Sequence, residues 1–257
     1  MVILLLKLFL APLLVVASTL AGRRWGPEVA GILVGLPIVA GPILFISYLL
    51  HGADFAGRAA SSSLLGLVSL AAFAVVFSRA ARRFGWVATL ATSWIAVLAV
   101  DAALSVVHVT AFVAVAFTLA ATVAAMILMP RIEPEHAGEL ERPSPLWDLP
   151  GRAVATALLV LAVTAASGAL GPQWTGLLAT FPIAISVVAA FGHAQHGPAV
   201  TTRTLAGLLT ALFSFATFCL SVAVLIRPVG GAAFVLGAAA TVAVQLLVVR
   251  TRGALGN

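Results

Sequence analysis

Apolar runs of about 20 residues recur along almost the whole chain, and no other feature constrains its fold as tightly. A helix needs about 20 such residues to cross a hydrocarbon core about 30 Å thick. Lipid offers no hydrogen bonds to peptide groups, so a crossing segment must satisfy its own backbone as a helix. A β-barrel would alternate apolar and polar residues, and this chain does not. Hydrophobic residues make up 62% of the 257 residues and charged residues 9%, with mean hydropathy +1.17. A soluble domain carries about 25% charge, so that class is excluded. The fold expected is an all-α polytopic membrane protein, multi-pass in the cell membrane, with membrane lipid as its surroundings and partner.

Gly, Pro and polar residues divide the apolar runs into nine spans, at 2–22, 28–50, 60–78, 86–103, 108–129, 153–170, 174–192, 204–226 and 230–249. Trp86 to Met129 runs for 44 residues with almost no polar break. As one helix it would be about 66 Å long, twice the hydrocarbon thickness. It is therefore expected to fold back near Asp101, Ser105 and His108. The first span has Ala17, Ser18 and Ala21 near its end, as a secretory signal would, but it lacks a basic leading region and reads as a mature span. Pro130 to Arg152 holds five Pro and five acidic residues and reads as a linker between two halves of similar hydropathy.

Shifting the chain by 145 residues lays WGPEVAGILVGLPI on LGPQWTGLLATFPI without a gap. Fourteen of the 48 positions from Gly26 to Phe73 are identical under this shift. They include Pro37/Pro182, His51/His196, Gly52/Gly197, Arg58/Arg203 and Ser69/Ser214, types that chance matching of Leu and Ala would not select. Spans 1 to 4 then correspond to spans 6 to 9, with span 5 as an unpaired connector helix. The organisation expected is a four-span repeat over 1–106, a connector span and Pro/Glu-rich cytoplasmic linker over 107–152, and a second four-span repeat over 153–257. Four spans plus a connector place the second repeat upside down relative to the first, giving inverted topology.

Charge gives an independent reading of orientation, because short cytoplasmic loops carry the excess of Lys and Arg. Nine spans put eleven basic residues on one side and Lys7, Arg58 and Arg227 on the other. Treating 86–129 as one span would reduce the split to eight against six. The N-terminus is thus expected outside and the C-terminus in the cytoplasm, in a bacterial inner membrane. The net charge of +6 is accounted for in this way, and no nucleic acid partner is implied.

Spans 2 and 7 each place a proline near their middle, Pro37 with Pro42 following and Pro182. Proline removes a helical hydrogen bond, and the groups it frees must face protein, water or substrate. Gly35, Pro37, Gly41, Pro42, Thr180, Pro182 and Ser186 are therefore candidates for a substrate path. The competing reading is a kinked packing helix with Gly31 and Gly35 as a small-residue contact face. His51 and His196 close these spans, and Arg58 and Arg203 open the next. They fit either anion or headgroup contacts at two mouths, or arginines snorkelling to an interface. Asp101 and His108 could relay protons, or could sit wet at the turn. Lys7 and Glu28 read as interfacial residues. His193 and His196 lack a third ligand, so no metal is expected. Cys219 is the only cysteine, which excludes an intramolecular disulfide.

No phosphate-binding loop, HExxH helix or GxSxG elbow occurs, so neither catalytic residues nor a cofactor are expected. Inverted repeats around broken helices resemble the plan of many secondary transporters. That resemblance implies a secondary transporter or flippase, working by alternating access, with spans 2, 3, 7 and 8 lining the path. Its cargo would be an anionic solute or a lipid-linked substrate. A non-catalytic assembly or scaffold subunit and a membrane-embedded lipid-modifying enzyme stay open at this point, as does homo-oligomerisation.

Overall fold

A computed structural model describes residues 2–107, 109–130, 145, 147–170 and 181–255. It is about 90% helical, with no strand among the described residues. The helices are α1 (Val2–Trp25), α2 (Pro27–Gly35), α3 (Ala40–Ala80), α4 (Trp86–Ser105), α5 (Ala111–Leu128), α6 (Asp148–Leu170), α7 (Ile183–Val229) and α8 (Ala232–Leu255). Seven helical stretches are long and apolar enough to cross a membrane, and this is the build of a membrane-embedded protein.

Two of those stretches are far longer than a crossing requires. Pro27–Ala80 has 54 residues and Ile183–Val229 has 47, about 80 and 70 Å if straight. Neither is straight. Gly52 (φ 81°, ψ 179°) interrupts α3, and Gly197 (φ 80°, ψ −175°) interrupts α7. That backbone region is essentially open to glycine alone. A Cβ at either glycine would meet no atom within 4 Å, so dihedral freedom rather than space requires the residue. Pro198 then starts the next helical segment, where its missing N–H is no loss.

A second pair of breaks involves the prolines. Leu36, ahead of Pro37, is extended (φ −74°, ψ 152°), as a residue before proline prefers. The Ile38 N–H donates back to the Leu36 carbonyl at 2.8 Å, and the Gly41 N–H to that of Pro37 at 2.8 Å. In the other half Pro182 (φ −74°, ψ 59°) adopts an inverse γ-turn. There the Ile183 N–H donates to the Phe181 carbonyl at 2.8 Å, and the Ser186 N–H to Pro182 at 2.9 Å. Every partner in one break lies 145 residues from its counterpart in the other, the shift of the sequence repeat.

The 198–229 part of α7 is the central element. Leu205, Leu209, Leu212 and Ile226 are buried there against Leu64, Leu67, Phe73 and Phe77 of α3. Outer helices present large apolar side chains outward, among them Phe9, Ile95, Phe112, Ile127, Leu158 and Val235. Some boundaries differ from the sequence reading. Helix continues from Gly52 straight into 53–80 instead of starting at 60. The sixth helix starts at Asp148, within the expected linker, because Asp148 and Arg152 pair along its first turn. The fourth helix runs on to Ser105 instead of ending at 103, and the fifth starts at Ala111 instead of 108.

Candidate functional site

Where the two proline breaks meet, α1, α3 and α6 border a half-open cavity of about 180 Å³. Its walls come from both halves of the chain: Gly35, Leu36, Val39 and Ala40 at the first break, and Phe181 to Ile185 at the second. Leu14 of α1, Leu67 of α3, Val160 of α6 and Leu208 of α7 line the rest of the described wall. α4 is tied to the second break by its indole. Trp94 Nε1 donates to Ser186 Oγ at 2.9 Å, and its ring meets that of Phe181 at 5.5 Å.

The residues expected to form a path are dispersed differently around this cavity. Gly35 and Pro182 line it. Ser186 is buried behind the wall, against Trp94. Gly41 packs on Phe218, with Pro37 in the γ-turn and Pro42 exposed. Thr180 and His108 lie outside the described residues. At the breaks the carbonyls of Leu36, Pro37, Phe181 and Pro182 each accept a local N–H group.

His51 is exposed and stacks beside Phe55 at 4.7 Å. Arg58 is exposed and Arg203 half-buried, and neither pairs with an acid among the described residues. His196 and His193 sit on α7, half-buried. The described residues contain no cluster of three or more metal-ligating side chains.

Asp101 is only 4% exposed, so the wet-turn alternative does not hold for it. Its Oδ1 accepts a hydrogen bond from Ser69 Oγ, while Oδ2 has no partner among the described residues. The repeat partner of Ser69 behaves alike. Ser214 Oγ donates to Gln245 Oε1 at 2.8 Å, and Gln245 Nε2 is likewise unpartnered there. In each half a serine of the long inner helix thus holds a polar side chain of the following helix, an acid in one and a neutral amide in the other.

No family model, curated protein or solved structure matches the chain. Its chemistry is therefore to be read from its own residues. The most elaborate polar group was not evident from the sequence. Asp148, fully buried, accepts from Arg23 Nη2 at 2.5 Å, from Arg152 Nε at 2.9 and 3.0 Å, and from Gln195 Nε2 at 2.6 Å. This joins α1, α6 and α7. The i, i+4 spacing of Asp148 and Arg152 was the available signal, hidden within a Pro- and Glu-rich segment.

A second ion pair links the halves, Arg227 Nε to Asp54 Oδ1 at 2.9 Å, but its side chains are 71% and 70% exposed. Exposed pairs are worth about 0 to 1 kcal/mol. Asp54→Asn is accordingly expected to leave the thermal unfolding midpoint in detergent unchanged. A clear drop would show that this pair is shielded in the membrane-bound protein.

Proposed function

We propose that the chain is a secondary transporter or flippase whose path runs through the cavity between the two proline breaks. The observation that carries this reading is the cavity itself: it is built from corresponding positions of two related halves, and interrupted helices in such positions mark the central site of transporters. Each of the two overlong helical stretches serves as two passes. That gives nine spans in two inverted four-span repeats, with α5 as connector, the N-terminus outside and the C-terminus in the cytoplasm of a bacterial inner membrane. Breaks closed by γ-turns and glycine kinks supply the hinges about which one half rocks against the other. Arg58 and Arg203, with His51 and His196, stand toward the two mouths, where a guanidinium can hold a carboxylate, a phosphate or a lipid headgroup. Asp101, with His108, is the candidate proton relay, and its hydroxyl partner is Ser69.

The test is movement through purified protein in proteoliposomes. Two probes are needed: a headgroup-labelled fluorescent phospholipid followed between leaflets, and radiolabelled inorganic phosphate followed across the membrane. One of them is expected to move with the wild-type chain. Ala184→Phe, which places a ring in the cavity, should slow it about tenfold or more, an effect needing only about 1.4 kcal/mol against passage. Equal rates in a monodisperse, folded Ala184→Phe protein would put the path elsewhere. Movement of neither probe would count against the transporter reading.

A further inference from the structure

We infer that the cavity at the two breaks is a binding site for the hydrocarbon chain of a lipid, so that the cargo class is lipid and not a water-soluble anion. The cargo part of this inference rests on the transporter reading above, whereas the chain site stands on the cavity alone.

The lining carries the argument. Among the described lining residues only Ser63 has a polar side-chain atom, and its hydroxyl is already committed to the Ala59 carbonyl at 2.9 Å. No charged residue lines the cavity among the described residues. Helix breaks hold anions by presenting unsatisfied N–H groups. Here the Ile38, Gly41, Ile183 and Ser186 amides are turned back onto carbonyls of their own breaks. An ion entering this space would lose its hydration and find no charged side chain, and only the committed Ser63 hydroxyl, among the described lining residues to replace it. Apolar cavities of about 150 Å³ stay dry and accept benzene-sized groups, and 180 Å³ gives room for a comparable length of chain.

Position points the same way. Leu14 lies near the middle of α1 and Val160 near the middle of α6, each about 18 Å from the start of its helix. At that depth of a bilayer the surrounding solvent is acyl chain. The neighbours in sequence of three lining residues, Leu13, Ile38 and Leu161, are 52%, 41% and 43% exposed on the apolar surface. The helices and the break that line the cavity thus also carry apolar surface facing outward.

The purified full chain, in detergent with a phospholipid bearing a diazirine on one acyl chain, would be photolysed and its peptides mapped by mass spectrometry. Adducts are expected on Ile43, Phe181 and Phe215, half-buried residues of the cavity wall. Ala184→Phe and Ala40→Phe should each abolish them, and excess inorganic phosphate should not compete. Adducts confined to outward residues such as Phe9 and Leu13, unchanged in both variants, would overturn the chain site, as would protection by phosphate. The two readings can fail separately. Cavity adducts without movement of either probe would remove the transporter and keep the site, and phosphate movement without cavity adducts would do the reverse.

Discussion

Asp148→Asn is expected to destabilise the protein by about 3 to 5 kcal/mol, the range for a buried pair that loses one partner. The measurement is the midpoint of thermal unfolding in detergent, with retention of a monodisperse peak as a second readout. Asn keeps the size of the side chain and removes the charge. That leaves Arg152, 4% exposed, with its guanidinium against the Phe191 ring at 5.0 Å and no counter-charge. Arg152 Nη2 would still reach Gln195 Oε1 at 3.3 Å, a weak compensation. Arg23, whose side chain is 37% exposed, can turn to solvent, so most of the loss falls on Arg152. Removing both buried charges together should be far milder. Asp148→Leu with Arg152→Met is expected to recover much of the stability, because burying an ion pair is itself expensive. If the single and double variants unfold alike, the cluster acts through something other than charge compensation.

What the sequence disclosed and what it withheld divide along a physical line. Features that need a special residue type were visible. The glycine kinks recur at the 145-residue shift because few residues other than Gly tolerate that backbone, and the proline breaks recur because Pro lacks the N–H that would continue the helix. The contact face of Gly31 and Gly35 could be anticipated for the same reason. Features that depend on partners distant in sequence were not visible. Gln195 lies between His193 and His196, which drew attention as a metal pair, yet it is the amide that closes the Asp148 cluster. Gln245 has no polar counterpart at its own repeat position; its symmetry with Asp101 appears only because Ser69 and Ser214 each hold the nearest polar group on the following helix. The γ-turns at the prolines were not visible either, because they depend on how each break closes on itself.

Gly31→Ala and Gly207→Ala should each destabilise the protein by at least the 1 to 3 kcal/mol that is usual for overpacking, about as much as any single methyl group could do here. The two glycines face one another across the crossing of α2 and α7. A Cβ on Gly31 would overlap the Thr204 carbonyl oxygen and lie 2.8 Å from Leu208 N. A Cβ on Gly207 would overlap the Glu28 carbonyl oxygen and lie 3.0 Å from Glu28 Cα. These neighbours are backbone, so no side chain can swing aside and only separation of the helices relieves the clash. Small residues are what allow such close approach between apolar helices. Gly41→Ala is the control, because its methyl would meet Phe218 Cζ at an ordinary 3.4 Å. That variant should be neutral or gain slightly from the better helix propensity of Ala. Because one separation accommodates both methyls, the double variant Gly31→Ala/Gly207→Ala should lose clearly less stability than the sum of the singles. The same separation should reach the cavity, since Leu208, at the crossing, and Gly35, one turn further along α2, form part of its wall. Additive losses in the double variant would mean that each methyl is accommodated by its own local distortion and that the helices do not move as units.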